Sequence, residues 1–199
     1  MLNVICKKSS VGYAANTYII SSEGEFAIID PSLPYDPSYI SGELKYIFLT
    51  HSHFDHMLEI DSWVKMTGAP VFVSEKEKNA PSDPIYNCYK LFLGVDRGYF
   101  GPISTMKHGD VFTLGKTTLR IISCPGHTEG SVALYSMPYL FAGDTVFEGG
   151  GYGRCDLPGG DYLKLRDSIE RLLTLPDDTQ LLTGHGMPTT VGEYKDYYI

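Results

Sequence analysis

Apolar residues in this chain come in short runs separated by turn residues, not in long helical stripes. Residues 16–21 (NTYIIS) and 26–30 (FAIID) flank the turn Ser22-Glu23-Gly24 and predict a β-hairpin. Pro31, Pro34 and Pro37 then break the chain, with a short helix expected over 36–42. Residues 46–50 (YIFLT) are mostly apolar, as a strand covered on both faces would be. Apolar side chains follow at 57, 60, 63 and 64, a helical spacing that Gly68 and Pro70 bring to an end, and residues 71–74 (VFVS) return as a strand. Farther on, 110–114, 117–123, 131–135 and 139–142 read as successive strands. A helix over 161–173, capped by Asp161, and a last strand over 179–183 complete the pattern. The segment 79–105 differs: it is rich in turn residues and aromatics (Tyr86, Tyr89, Phe92, Tyr99, Phe100) and suits a small subsidiary core, a substrate-covering lid, or both. Strands and helices mixed in this way, with β-meanders in both halves, predict a β-sandwich flanked by helices.

Composition narrows the field of partners. The 199 residues suffice for one domain with a substantial core, and a single domain over 1–199 is expected, with 79–105 as its lid or insertion. The formal charge is −8 and there is no basic block, which argues against a nucleic-acid partner and against a polybasic membrane contact. A small-molecule partner is expected, and the oligomeric state is left open. The apolar stretch 2–6 is too short for a signal or a membrane span, so the expected compartment is the cytoplasm. Cys6, Cys88, Cys124 and Cys155 are far apart and form no CxxC pair, which in that compartment predicts free thiols.

The chemistry is concentrated in the histidines. Three of the six lie within His51-Ser52-His53-Phe54-Asp55-His56, at the carboxyl end of the predicted strand 46–50. Imidazole and carboxylate are the donors that zinc and its neighbours prefer. A turn here can aim His51 and His53 inward while Asp55 and His56 point to an adjacent spot, where the dipole of the next helix would favour an ionised Asp55. His127 (SCPGHTEGS), Asp144 (FAGDT) and His185 (LLTGHGMP) also sit at strand ends beside glycine, where the backbone can turn sharply into a shared cleft. Each alone is a weak signal; the ordered set is a strong one. Thr50, Thr128 and Thr145 adjoin these residues and are expected to orient them. His108, in the turn Lys107-His108-Gly109, is assigned no role.

THSHFDH, CPGHTEGS, FAGDTVF and TGHG, in that order, resemble the metallo-β-lactamase-fold hydrolases, over about residues 16–190. The resemblance implies an α+β, four-layer αββα sandwich with two divalent metal ions at one edge, zinc first and iron or manganese as alternatives. It implies His51, His53 and His127 on one ion, Asp55, His56 and His185 on the other, and Asp144 bridging both, with Asp55 and Asp144 the catalytic carboxylates. A hydroxide shared by the two ions would be the nucleophile.

GYGRCDLPGGD and LPDDTQLLTGHG further resemble the glyoxalase II-like branch, which hydrolyses thioesters of glutathione. Two features set this chain apart from that branch. Full-length glyoxalase II carries a further helical C-terminal domain, whereas this chain ends soon after His185. The glutathione loop of that branch usually has a basic residue followed by an aromatic pair, and here Arg154 is followed by Cys155 and Asp156. Arg154 is therefore weighed equally as a substrate carboxylate anchor and as the partner of Asp156. A dinuclear hydrolase of a small thioester or ester is the leading expectation. A mononuclear iron persulfide dioxygenase is the alternative, using two histidines and an aspartate and leaving His53, Asp55, His56 and His185 without metal duties; a lactone hydrolase of the same fold is another.

Overall fold

The computed structural model describes residues 2–9 and 11–198; Met1, Ser10 and Ile199, which the expected 1–199 domain includes, lie outside the described residues. The first sheet is built from β1 (Asn3–Lys7), β2 (Thr17–Ser22), β3 (Glu25–Ile29), β4 (Glu43–Phe48), β5 (Val71–Ser74) and β6 (Ile103–Met106), in that spatial order. Its first three strands are antiparallel; from β3 onward the pairings are parallel. The second sheet runs β12 (Thr189–Thr190), β11 (Gln180–Thr183), β10 (Tyr139–Gly143), β9 (Val132–Ser136), β8 (Thr117–Ser123) and β7 (Val111–Leu114). It is antiparallel except where β10 meets β11.

Alternation along the strands explains the layers. In β2, Tyr18 and Ile20 point between the sheets, where Ile29, Phe48, Leu119, Leu134 and Phe141 meet them, while Ile19 points the other way. On that outer face Ile19, Ile28, Ile47 and Leu49 pack against Ile60 and Trp63 of helix α1 (Ile60–Thr67). Trp63 is fully buried, and its indole N–H donates to Leu33 O at 2.8 Å, so its one polar atom is satisfied. The outer face of the second sheet is covered by α3 (Tyr162–Leu172), through Leu165, Ile169 and Leu172, and by α4 (Val191–Tyr197), through Val191 and Tyr194. Both sheets are thus covered on both faces, which is the αββα sandwich that was expected.

Most predicted elements are present within a residue or two, and Asp161 caps α3 by accepting from the amides of Leu163 and Lys164. The helix expected over 36–42 is only a 3₁₀ turn, Pro37–Tyr39, because the backbone is extended again by Ile40. The segment 79–105 contains a 3₁₀ turn (Ala80–Ser82), the short helix α2 (Tyr89–Leu93) and the edge strand β6; Tyr89 and Tyr99 join the core under the first sheet. Among the described residues no helix is long and apolar enough to cross a membrane, and the four cysteines are unpaired.

Candidate metal centre

Strand ends from both sheets bring the predicted donors together. After β4 the chain passes through His51 and His53 to a 3₁₀ turn, Phe54–His56, that holds Asp55 and His56. The loop after β8 carries His127, that after β10 carries Asp144, and that after β11 carries His185. Imidazole nitrogens of His51, His53 and His127 converge: His127 Nε2 lies 3.2 Å from His51 Nε2 and 3.0 Å from His53 Nδ1. Beside them, Asp55 Oδ2 lies 3.1 Å from His185 Nε2. Asp144 stands between the two groups, with Oδ1 at 3.2 Å from His56 Nε2 and Oδ2 at 3.6 Å from both His127 Nε2 and His185 Nε2. Three trios offer donor atoms all within 4.8 Å of one another: His51, His53 and His127; His51, His56 and Asp144; Asp55, His56 and His185. All seven predicted residues belong to this one cluster.

Its electrostatics suit a cation. Burial, then the neighbouring imidazoles, drives His51 well below the usual histidine range. Burial and His127 push His53 down to about 3, and burial lowers His127 as well. Three neutral rings therefore turn nitrogens toward one point at distances that only one shared proton or a metal ion satisfies. His127 is oriented by its other nitrogen, Nδ1, which donates to Arg154 O at 2.6 Å and leaves the Nε2 lone pair free. Burial pulls His56 down, but Asp144 and Asp30 together hold it well above its usual value. Burial would raise Asp55 and Asp144; the hydrogen bond from His185 lowers Asp55, and the charge of His56 lowers Asp144. His56 Nε2 and Asp144 Oδ1 are buried without a hydrogen bond of good geometry. A Cβ on Gly184 would collide with Asp144 Oδ1 and lie 2.7 Å from His56 Cε1, so only glycine leaves that space open. Orphaned donors, neutral imidazoles and ionised carboxylates around one hollow fit divalent cations.

One expectation about Asp55 is corrected. It is separated from α1, which begins only at Ile60, so His185 and His56 rather than a helix dipole keep it ionised. Of the three threonines, Thr50 reaches a predicted donor, its Oγ1 lying 3.2 Å from His51 Nδ1. Thr128 instead bonds Glu77, and the Thr145 hydroxyl, buried, has no hydrogen-bond partner. His108 plays a turn role, its Nδ1 accepting from Ser123 N at 3.2 Å.

Two buried carboxylates escaped the sequence reading. Asp30, after β3, accepts from Thr50 N (2.8 Å), Thr50 Oγ1 (2.7 Å) and His56 Nδ1 (2.8 Å), and so fixes which nitrogen of His56 faces Asp144. The signal was present, since Asp30 ends an apolar strand as Asp144 does. Glu77, in the turn after β5, accepts from Thr128 Oγ1, which itself lies 2.7 Å from Ser131 Oγ. Burial raises its pKa, and Ser52, Thr128 and Gly130 oppose that rise. Ser52 stands between His51 and His53, so Glu77 links the loops carrying three predicted donors. Nothing in the string Glu75-Lys76-Glu77 sets it apart from its exposed neighbour Glu75. Arg154 lines a cavity of about 370 Å³ that opens on His53, Asp55, His127, Asp144 and His185, but its guanidinium grips Asp156 with both contacts at 2.7 Å.

The family model described as the Metallo-beta-lactamase superfamily matches residues 11–185. This chain belongs to that superfamily. Among its metallo-β-lactamase-superfamily relatives, a Bacillus subtilis protein named "Probable metallo-hydrolase YqgX" is 35% identical, the match covering 92% of this chain and 90% of the relative. "Hydroxyacylglutathione hydrolase GloC" of Haemophilus influenzae is 31% identical, with 89% and 87% covered. Among solved structures, the BLEG-1 B3 metallo-beta-lactamase superposes with a TM-score of 0.86 at 30% identity, covering 98% of this chain and 97% of that one. TTHA1623 in a di-iron-bound form superposes at 0.81 and 26% identity, with 98% of each covered. A metal-dependent hydrolase with a divalent-cation centre agrees with these superfamily relatives and with the donor cluster.

Proposed function

We propose that this protein is a dinuclear metal-dependent hydrolase of small thioesters or esters. His51, His53 and His127 would hold one ion, Asp55, His56 and His185 the other, and Asp144 would be shared. The observation that carries this is the position of Asp144, whose two oxygens face histidines of both trios. Two divalent ions, when bound, supply Lewis acidity and make water a nucleophile near neutral pH. The chain's own residues prepare the site for that chemistry. Arg154 O fixes the His127 tautomer, Asp30 fixes His56, and Asp55 and Asp144 stay ionised at neutral pH. In the overall reaction water adds its oxygen to the acyl carbon and the C–S or C–O bond breaks. One of the water's protons ends on the thiol or alcohol, the other is released as the product acid ionises to carboxylate, and no electrons change hands.

The di-iron form of TTHA1623 supports two ions, and the name of the Haemophilus relative supports thioesters. That relative is covered over 87% of its length, so its name attaches to a chain of much this extent. A second reading, the mononuclear iron persulfide dioxygenase, would draw on His51, His127 and Asp144 and leave His53, Asp55, His56 and His185 without metal duties; His127 Nε2 lies 3.2 Å from His51 Nε2 and 3.6 Å from Asp144 Oδ2. Metal analysis of protein purified without added metal separates the two. Close to two ions per chain, with thioester hydrolysis lost on chelation and restored by metal, is expected. A single iron with oxygen uptake on a persulfide would overturn the hydrolase.

A further inference from the structure

The cavity over the donor cluster has a wall chemistry that points to its ligand. Apart from the donors themselves it is lined by Tyr13, Phe54, Phe92, Phe147 and Leu157, with Cys88, Gly153 and Arg154. Four aromatic rings within one hollow of about 370 Å³ form a cup for an apolar group. Phe92 belongs to α2 and is 51% exposed, so ring surface is available at the mouth. Among the described residues Arg154 is the one Lys or Arg lining the cup, and it is paired. Its Nε and Nη2 donate to the two Asp156 oxygens at 2.7 Å each, and its guanidinium carbon lies 5.7 Å from the centre of the Phe92 ring. The contact from Arg154 holds the Asp156 carboxyl down at about 2, so both partners are charged at neutral pH. A carrier such as glutathione, with two carboxylates and one ammonium, meets no unpaired Lys or Arg among the described lining residues, and burying its carboxylates without partners is costly.

We propose that this site selects thioesters or esters bearing an apolar alkyl or aryl substituent beside the scissile bond, on a carrier that makes no ionic contact with the protein. The proposal rests on the hydrolase reading above. Phe92 is a specificity-determining residue in it, and the Arg154–Asp156 pair screens the rim against anionic carriers.

The test compares kcat/KM for acetyl, butyryl and hexanoyl thioesters of N-acetylcysteamine, for acetyl thioesters of propanethiol and benzyl mercaptan, and for S-lactoylglutathione. Along at least one of the two apolar series, a rise of about fourfold per buried methylene is expected, with the best member ahead of S-lactoylglutathione. Phe92→Ala lowers the ratio of long-chain to acetyl turnover by about fivefold. Asp156→Asn, by freeing the guanidinium, raises the relative rate on S-lactoylglutathione. Calorimetric binding of uncleavable amide analogues of the same compounds gives the same comparison without turnover, so a chain that hydrolyses neither these thioesters nor the matching oxygen esters sinks the hydrolase reading separately. Flat series in both substituents, a preference for S-lactoylglutathione, or ratios unmoved by Phe92→Ala would overturn the proposal.

Discussion

Replacing Asp30 by Asn alters one atom at a point where two donors converge. Asp30 Oδ2 accepts from both Thr50 Oγ1 and His56 Nδ1, and Oδ1 accepts from Thr50 N. The backbone at Asp30 has φ +54°, a left-handed conformation that Asn tolerates as Asp does, so the main chain need not move. The amide has two ways to sit. With its NH2 toward Thr50 N, two buried donors face each other, a loss of about 1–3 kcal/mol. With its NH2 toward His56, Nδ1 must become an acceptor and the ring proton moves to Nε2. That proton then lies against Asp144 Oδ1, 3.2 Å away, on the atom proposed as a metal donor. Either arrangement costs stability, and at about 2–4 °C per kcal/mol the melting temperature falls by roughly 2–12 °C. The second arrangement also weakens one proposed metal position by about 10- to 100-fold, the usual effect of losing an outer hydrogen-bond partner. Titration with zinc against a colorimetric chelator should resolve two wild-type steps and show one displaced step in Asp30→Asn, with the trio of His51, His53 and His127 unchanged. Two wild-type steps in a folded Asp30→Asn protein would refute the tautomer argument. Asp30→Ala, which leaves His56 and Thr50 unpartnered, should cost about 3–5 kcal/mol and so cannot replace the Asn variant in this test.

Other perturbations probe separate parts of the site. Gly184→Ala places a methyl group against Asp144 and His56, and metal content by mass spectrometry should drop to one ion or none while far-ultraviolet circular dichroism is kept; full occupancy would show that the hollow is not the binding space. Glu77→Ala should raise KM little but lower kcat and zinc retention by about tenfold, whereas Glu77→Gln, able to receive the Thr128 hydroxyl, should restore most of both. Equal losses in the two variants would mean that the charge, not the hydrogen bond, matters. Burial pushes the Cys124 thiol up to about 12, so an alkylating reagent at pH 8 should modify it only after unfolding, as peptide mass mapping would reveal. Rapid labelling of Cys124 in the native protein would contradict the packing around β9 and α3.

The parts of this molecule that could be read from sequence share a local signature, and the parts that could not depend on distance along the chain. Residues 46–50, mostly apolar, announced a covered strand, and the HSHFDH loop gave a strand end with donors attached. His127, Asp144 and His185 each showed glycine beside a polar residue at the end of an apolar run. Edge strands announce nothing comparable: β1 (NVICK) is mostly exposed or half-exposed, and β6 (ISTM) follows a stretch of aromatics without alternation. Helix α4 did carry a legible sign, the Thr190 to Glu193 capping box, whose reciprocal bonds are formed. Asp30 ends an apolar run but has no glycine beside it, and Glu77 carried no sign at all. Each is chemically identical to a surface carboxylate, and its role exists only because strand pairing sets it against residues 20 to 51 positions away. Arg154 shows the same limit from the other side. Sequence left it equally fit for a substrate carboxylate or for Asp156, because both are bidentate partners of the same group. In the structure both 2.7 Å contacts of the guanidinium go to Asp156, at the rim of a cavity walled largely by aromatic rings. On the proposal above, that local ion pair shifts the expected substrate from an anionic thioester toward an apolar one.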